Sequence, residues 1–142
     1  MKEAPKFRLS AYYYEDAVTV VASSNNRIIF PVDLSFDFVA TGFSYKSSIA
    51  NAGSRATFNV MFKHNDKQLF QNAMPNELFA GIMVETAAPL TTTIGLALWE
   101  KFDKPYLFPA KSDIIVILYD TSGFANTINF AIKGYKREKM VY

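Results

Sequence analysis

The sequence predicts an all-β protein, a single-domain antiparallel β-sandwich in ordinary or jelly-roll form. Three observations carry that expectation. Apolar residues come in short runs, several with a strict period of two, and Gly, Pro, Asn and Asp punctuate them at short intervals. The chain holds 13 Phe and 8 Tyr in 142 residues, and aromatic rings pack well on pleated surfaces. No long stretch repeats its apolar residues at helical spacing. Eight or nine short strands result, a number suited to a sandwich or jelly roll, with no repeated unit that would indicate a solenoid.

From the N-terminus, residues 1–11 carry Pro5 and little apolar periodicity, so they read as an extended arm that pairs with a neighbour rather than entering the core. Tyr12 to Ala22 and Ile28 to Val32 read as two strands joined by the polar turn Ser23-Ser24-Asn25-Asn26-Arg27. From Asp33 the pattern alternates, with Leu34, Phe36 and Phe38 on one face and Asp33, Ser35 and Asp37 on the other. Thr41-Gly42 interrupts it, either as a bulge continuing toward Phe43 and Tyr45 or as a strand boundary. Residues 47–55 read as a loop.

Phe58, Val60 and Phe62 alternate with Thr57, Asn59 and Met61, giving the clearest strand of the first half, followed by the turn His64-Asn65-Asp66-Lys67. Leu78 to Glu85 reads as a strand, with a short helical turn capped by Asn76 as the competing reading. Thr91 to Trp99 is ambiguous, since Leu96-Ala97-Leu98-Trp99-Glu100-Lys101 also fits a helix, but its threonines, Ile94 and Gly95 favour strand. Lys101 to Pro109 reads as a connection fixed by Pro105 and Pro109.

Ile114 to Tyr119 is mostly β-branched without polar alternation, as in a strand covered on both faces or lying in the middle of a sandwich, whereas Ile128, Phe130 and Ile132 alternate with Thr127, Asn129, Ala131 and Lys133. Asp120, Ser122, Gly123 and Asn126 supply turn chemistry between them, so residues 105–136 read as a β-hairpin with a long loop. Phe58, Val60, Phe62, Ile114, Val116, Leu118, Ile128, Phe130 and Ile132 are the expected core. The sandwich domain thus spans residues 12–136, with a basic tail at 137–142.

Composition narrows function mainly by exclusion. Cysteine is absent, which removes disulfides, thiolate metal sites and a cysteine nucleophile. The formal charge of +2 arises from 15 basic and 13 acidic residues dispersed along the chain, so nucleic acid is not an expected partner. The N-terminus lacks the order of a signal peptide, and the least charged stretch, 86–99, is broken by Pro89 and Gly95; no membrane association is expected.

His64 stands alone, without a second histidine for a common zinc site, and reads as part of a surface turn. Asp33 and Asp37, four residues apart on one extended strand, lie roughly 13 Å apart, too far for a glycosidase pair. No Gly-x-Ser-x-Gly or phosphate loop occurs. Hence no catalytic residue, metal site or cofactor is expected, and the protein is read as a non-enzyme. Three consecutive tyrosines cannot all face inward from a strand, so at least one of Tyr12, Tyr13 and Tyr14 is exposed, ready for a protein interface or a sugar ring.

Over about residues 58–136 the chain resembles small β-sandwich virion structural proteins of tailed bacteriophages, of the capsid cement or decoration type or the head-tail junction type. The residues that carry the resemblance are Thr57-Phe58-Asn59-Val60, Leu69-Phe70-Gln71-Asn72, Gly81, the segment from Pro105 to Asp113, and the segments from Asp120 to Asn126 and from Ile128 to Lys136. The resemblance implies a decoration protein of the capsid surface that binds the major capsid protein or other virion proteins and forms homo-oligomers. The interface expected from it comprises Lys6, Arg8, Tyr12, Tyr13, Tyr14, Phe124, Tyr135, Lys136 and Arg137, with the basic residues meeting acidic groups of the partner. A lectin-like carbohydrate-binding module is the alternative, and a small hydrolase with an unrecognised site is a third, weaker one.

Overall fold

The computed structural model describes residues 6–49, 57–76, 83–85, 93–95 and 99–140. The described chain is all-β. Its strands are β1 (Phe7–Val20), β2 (Asn25–Pro31), β3 (Asp37–Ile49), β4 (Phe58–His64), β5 (Lys67–Gln68), β6 (Met74–Pro75), β7 (Met83–Glu85), β8 (Thr93–Gly95), β9 (Glu100–Phe108), β10 (Asp113–Asp120) and β11 (Asn126–Lys139). One antiparallel sheet runs β1-β11-β3-β9; the other runs β2-β10-β4-β5, with β6 also on β4, and β7 pairs with β8 alone. From β1 to β4, and again from β9 to β11, successive strands thus alternate between the two sheets, with the first main strand beside the last. Such wrapping defines a jelly roll.

The alternation seen in the sequence decides which side chains meet. Ile114, Val116 and Leu118 of β10, Phe58, Val60 and Phe62 of β4, and Ile128, Phe130 and Ile132 of β11 are all buried, as expected. Rings from the two sheets interlock: Phe62 meets Phe43 at 5.0 Å and Phe130 at 5.6 Å, and Tyr45 meets Phe58 edge-on at 4.9 Å. These contacts join the sheets more specifically than area burial alone, because edge-to-face geometry fixes ring orientation.

Several expectations are corrected. β10 and β11 do not form a hairpin: β10 pairs with β2 and β4, and β11 pairs with β1 and β3. The loop between them crosses from one sheet to the other, a path that needs the same turn chemistry as a hairpin. Residues 7–11 are not a separate arm but the first part of β1, with Phe7 opposite Lys139, and residues 137–139 of the expected tail belong to β11. Residues 1–5 and 141–142 lie outside the described residues.

Lys101 to Phe108 is strand rather than connection. Pro105 is tolerated because β9 is an edge strand, and because its pairing with β3 lapses between Lys101 and Tyr106. Leu34 is 72% exposed, since Asp33 closes a local turn by accepting the Ser35 N–H at 2.9 Å and β3 begins only at Asp37. β10 lies in the middle of its sheet, between β2 and β4, but alternates between buried and part-exposed residues instead of being covered on both faces. The loop expected at 47–55, the first part of the strand expected over Leu78 to Glu85 and the competing helical turn after Asn76 fall largely outside the described residues; residues 47–49 and 83–85 are strand.

Thr41-Gly42 is a bulge within a continuous β3, with register shifts against both β9 and β11. Thr41 sends its hydroxyl to the Lys133 carbonyl at 3.3 Å, and Gly42 and Gly134 let neighbouring backbones approach closely. At the opposite end, the Asp120 carboxylate accepts from the N–H groups of Ser23 at 2.7 Å and Gly123 at 3.0 Å, and from Asn126 Nδ2 at 2.6 Å. Burial opposes its charge, but these bonds and those from Ser122 outweigh that and hold its pKa below the usual value. One side chain thereby ties the end of β10 to the loops after β1 and before β11.

Candidate interaction surface

Pairing of β1 with β11 gathers eight of the nine residues expected at an interface onto one ribbon. Lys6, Arg8, Tyr12, Tyr13 and Tyr14 run along β1 or just before it, while Tyr135, Lys136 and Arg137 face them from β11. Phe124 does not join them; it lies in the loop before β11, at the other end of the sandwich.

The ribbon has two faces. Tyr12 and Tyr14 point inward: Tyr12 packs against Phe36 at 5.3 Å, and Tyr14 meets Phe38 edge-on at 4.8 Å and Phe30 at 5.5 Å. A three-tyrosine sugar platform is therefore excluded by geometry. Only Tyr13 projects outward, at 60% exposure. Its ring lies 6.1 Å from Trp99, and Lys133 Nζ sits 5.0 Å above the Trp99 ring. Further along the same face the Arg137 guanidinium stacks over Phe7 at 4.4 Å.

The basic residues do not wait for a partner's carboxylates. Glu138 takes Arg8 and Lys136, each at 3.2 Å, and Asp37 takes Arg137 at 3.0 Å. Hydrogen bonding to Lys136 and then to Arg8 lowers the Glu138 pKa. Solvent screens such part-exposed pairs, so they orient side chains more than they hold the fold.

Tyr14 is the electrostatic exception. Burial, followed by the neighbouring Tyr12 and Asp33, pushes its pKa up to about 12, and its buried hydroxyl has no hydrogen-bond partner among the described residues. An unfolded tyrosine ionises near pH 10. Because the folded value is the higher one, the neutral phenol's contribution is intact below about pH 10 and is lost as pH rises toward 12. Tyr14→Phe is therefore expected to leave stability at pH 7 unchanged or slightly raised, and to gain on the wild type steadily between pH 10 and 12 in denaturant titrations. A loss at pH 7 would mean that the hydroxyl has a partner in solution.

Trp99, which ends an ambiguous run in the sequence, is not among the residues expected at the interface. It lines a shallow depression of about 260 Å³ with Ser44, Tyr45, Lys46, Asn129 and Ala131 on the outer face of the β1-β11-β3-β9 sheet. A lone tryptophan beside the charged start of an edge strand was the available signal. His64 is also better placed than a surface turn implies: it ends β4, and its Nδ1 lies 2.9 Å from the Tyr106 hydroxyl, linking the two sheets. Among the described residues, no three His, Asp or Glu side chains converge in a way that could hold a metal ion.

No family model matches the chain, and no curated protein matches it. Among solved structures, it is similar to the crystal structure of dimeric latent PorU from Porphyromonas gingivalis, with 12% identity and a TM-score of 0.39. That alignment covers 92% of this chain and 13% of PorU, so the chain spans a small part of that protein's length, and a likeness at this level carries no functional argument.

Proposed function

We propose that this protein is a non-enzymatic virion structural protein of a bacteriophage, a capsid decoration or cement protein that binds the shell built by the major capsid protein. The observation that supports this reading best is the outer face around Tyr13, Lys133 and Trp99, with Leu9, Phe7 and Arg137 continuing it. Exposed aromatics steadied by cations on a rigid sheet form an interface of the kind that protein partners bury, and many copies on a shell multiply modest contacts. The jelly roll is compatible with this role, although the same wrap also serves lectins and cupins and does not itself specify function. A head-tail junction would use the same surface.

Co-sedimentation with purified phage shells tests the proposal. The wild type should pellet with shells, and Tyr13→Ala combined with Trp99→Ala should weaken binding by about tenfold to a hundredfold, as expected for truncating two aromatic anchors. The depression beside Trp99 favours a second reading, carbohydrate binding, because an exposed indole next to Ser44, Lys46 and Asn129 offers a stacking ring with polar neighbours. Glycan-array binding that disappears with Trp99→Ala, together with no shell binding, would replace the first reading by the second.

A further inference from the structure

We infer that β1 is a self-complementary pairing edge, through which two copies of this chain join their β1-β11-β3-β9 sheets into one continuous sheet across a two-fold axis at Ala11. Successive residues of a strand direct their backbone groups to alternate sides. The Lys6 carbonyl accepts from the Met140 N–H at 2.9 Å, so even-numbered residues face β11. Odd-numbered residues must face the open edge, since the pairing of Phe7–Val20 with β11 runs without a register shift. Two side chains confirm that direction: Asp16 Oδ1 accepts the Ala17 N–H at 2.8 Å, and Asn26 Nδ2 donates to the Thr19 carbonyl at 3.1 Å.

The strand's second end is thus covered by the side chains of Asp16 and, from β2, Asn26, while Phe7, Leu9, Ala11, Tyr13 and Glu15 present backbone donors and acceptors at the edge. Other edges are guarded. β9 carries Pro105 and an interrupted register, β2 ends at Pro31, and β5 and β6 have two residues each.

The open window is symmetric about Ala11, and its chemistry is also reciprocal. An antiparallel second copy centred there sets Ala11 against Ala11, Leu9 against Tyr13 and Phe7 against Glu15, with about ten main-chain hydrogen bonds. This pairing keeps each inward face inward, because the paired positions share parity. It also sets Lys6, at the beginning of the strand, opposite Asp16 near the acidic end of its copy. Leu9, at 58% exposure, and Tyr13 would then cover each other beside the small Ala11. The inference does not depend on a capsid partner, since every group involved belongs to this chain.

Sedimentation velocity across a concentration series tests it. The full chain should show a concentration-dependent dimer. Ala11→Pro removes an edge-facing N–H without taking any bond from the β1–β11 ladder, and should weaken the dimer by at least about a hundredfold. Leu9→Lys with Tyr13→Lys should do the same while leaving the backbone untouched, which decides the matter if the proline variant does not fold. Because the chain lacks cysteine, Ala11→Cys should also give an efficient dimer with a short bismaleimide, and Thr19→Cys should not. A wild type that stays monomeric at its solubility limit, or a dimer that survives both edge variants, would overturn the inference.

Discussion

Replacing Gly134 with alanine is expected to destabilise the fold by roughly 4 kcal/mol or more, enough to unfold most of a marginally stable domain of this size. A Cβ at this position would lie 1.9 Å from the Val39 carbonyl oxygen and 2.9 Å from its carbon, with Phe38 Cζ at 3.0 Å. The obstruction is backbone, so no rotamer change relieves it. Moving Val39 aside would disturb β3 where its register shifts against both neighbours, next to Thr41. Thermal unfolding of Gly134→Ala beside Gly123→Ala separates this steric effect from a general loss of glycine: Gly123, at φ +82 in a loop, has nothing within 4 Å of an added Cβ and costs only the strain of its backbone angle. Equal, small losses at both sites would contradict the close approach of β11 to β3.

Phe130→Ala is expected to cost roughly 3–5 kcal/mol, from lost burial and the cavity left behind. Its ring is fully buried, stacked on Phe43 at 5.7 Å and against Phe62 at 5.6 Å, so one truncation loosens both sheets. Asn129→Ala, one residue away on the exposed outer face, should change stability by only about 0.5 kcal/mol or less. Urea titrations of the pair measure the difference directly. Comparable costs would mean that β11 does not present alternate faces to core and solvent.

The core was legible because it depends on a local signal. A period of two in Phe58-Val60-Phe62 and Ile128-Phe130-Ile132 specifies an inward face whichever strand lies alongside. Pairing partners were not legible. Asp120, Ser122, Gly123 and Asn126 announce a turn, but the sequence around them is the same whether the next strand pairs in its own sheet or crosses to the other.

Residues 7–11 were misread for a related reason. Their side chains are mostly exposed, so no apolar periodicity marks the strand, and its backbone pairs with Tyr135 to Lys139 at the other end of the chain. Pro105 misled in the opposite direction: proline argues against a central strand, but it sits easily in an unpaired stretch of an edge. At the proposed surface, three adjacent tyrosines correctly implied an exposed ring. Which ring it was, and that Trp99 and Lys133 stand beside it, required the register of β1 against β11 and the placement of Trp99.

The central functional claim is that the protein works by presenting the outer face of the β1-β11-β3-β9 sheet to a partner. Hydrogen–deuterium exchange of the chain, free and bound to purified capsid shells, tests it most directly. Binding should slow exchange in the peptides containing Tyr13, Trp99 and Lys133, and leave the loop that carries Phe124, at the far end of the sandwich, unchanged. Protection confined to that loop, or exchange that shells do not alter anywhere, would contradict the account.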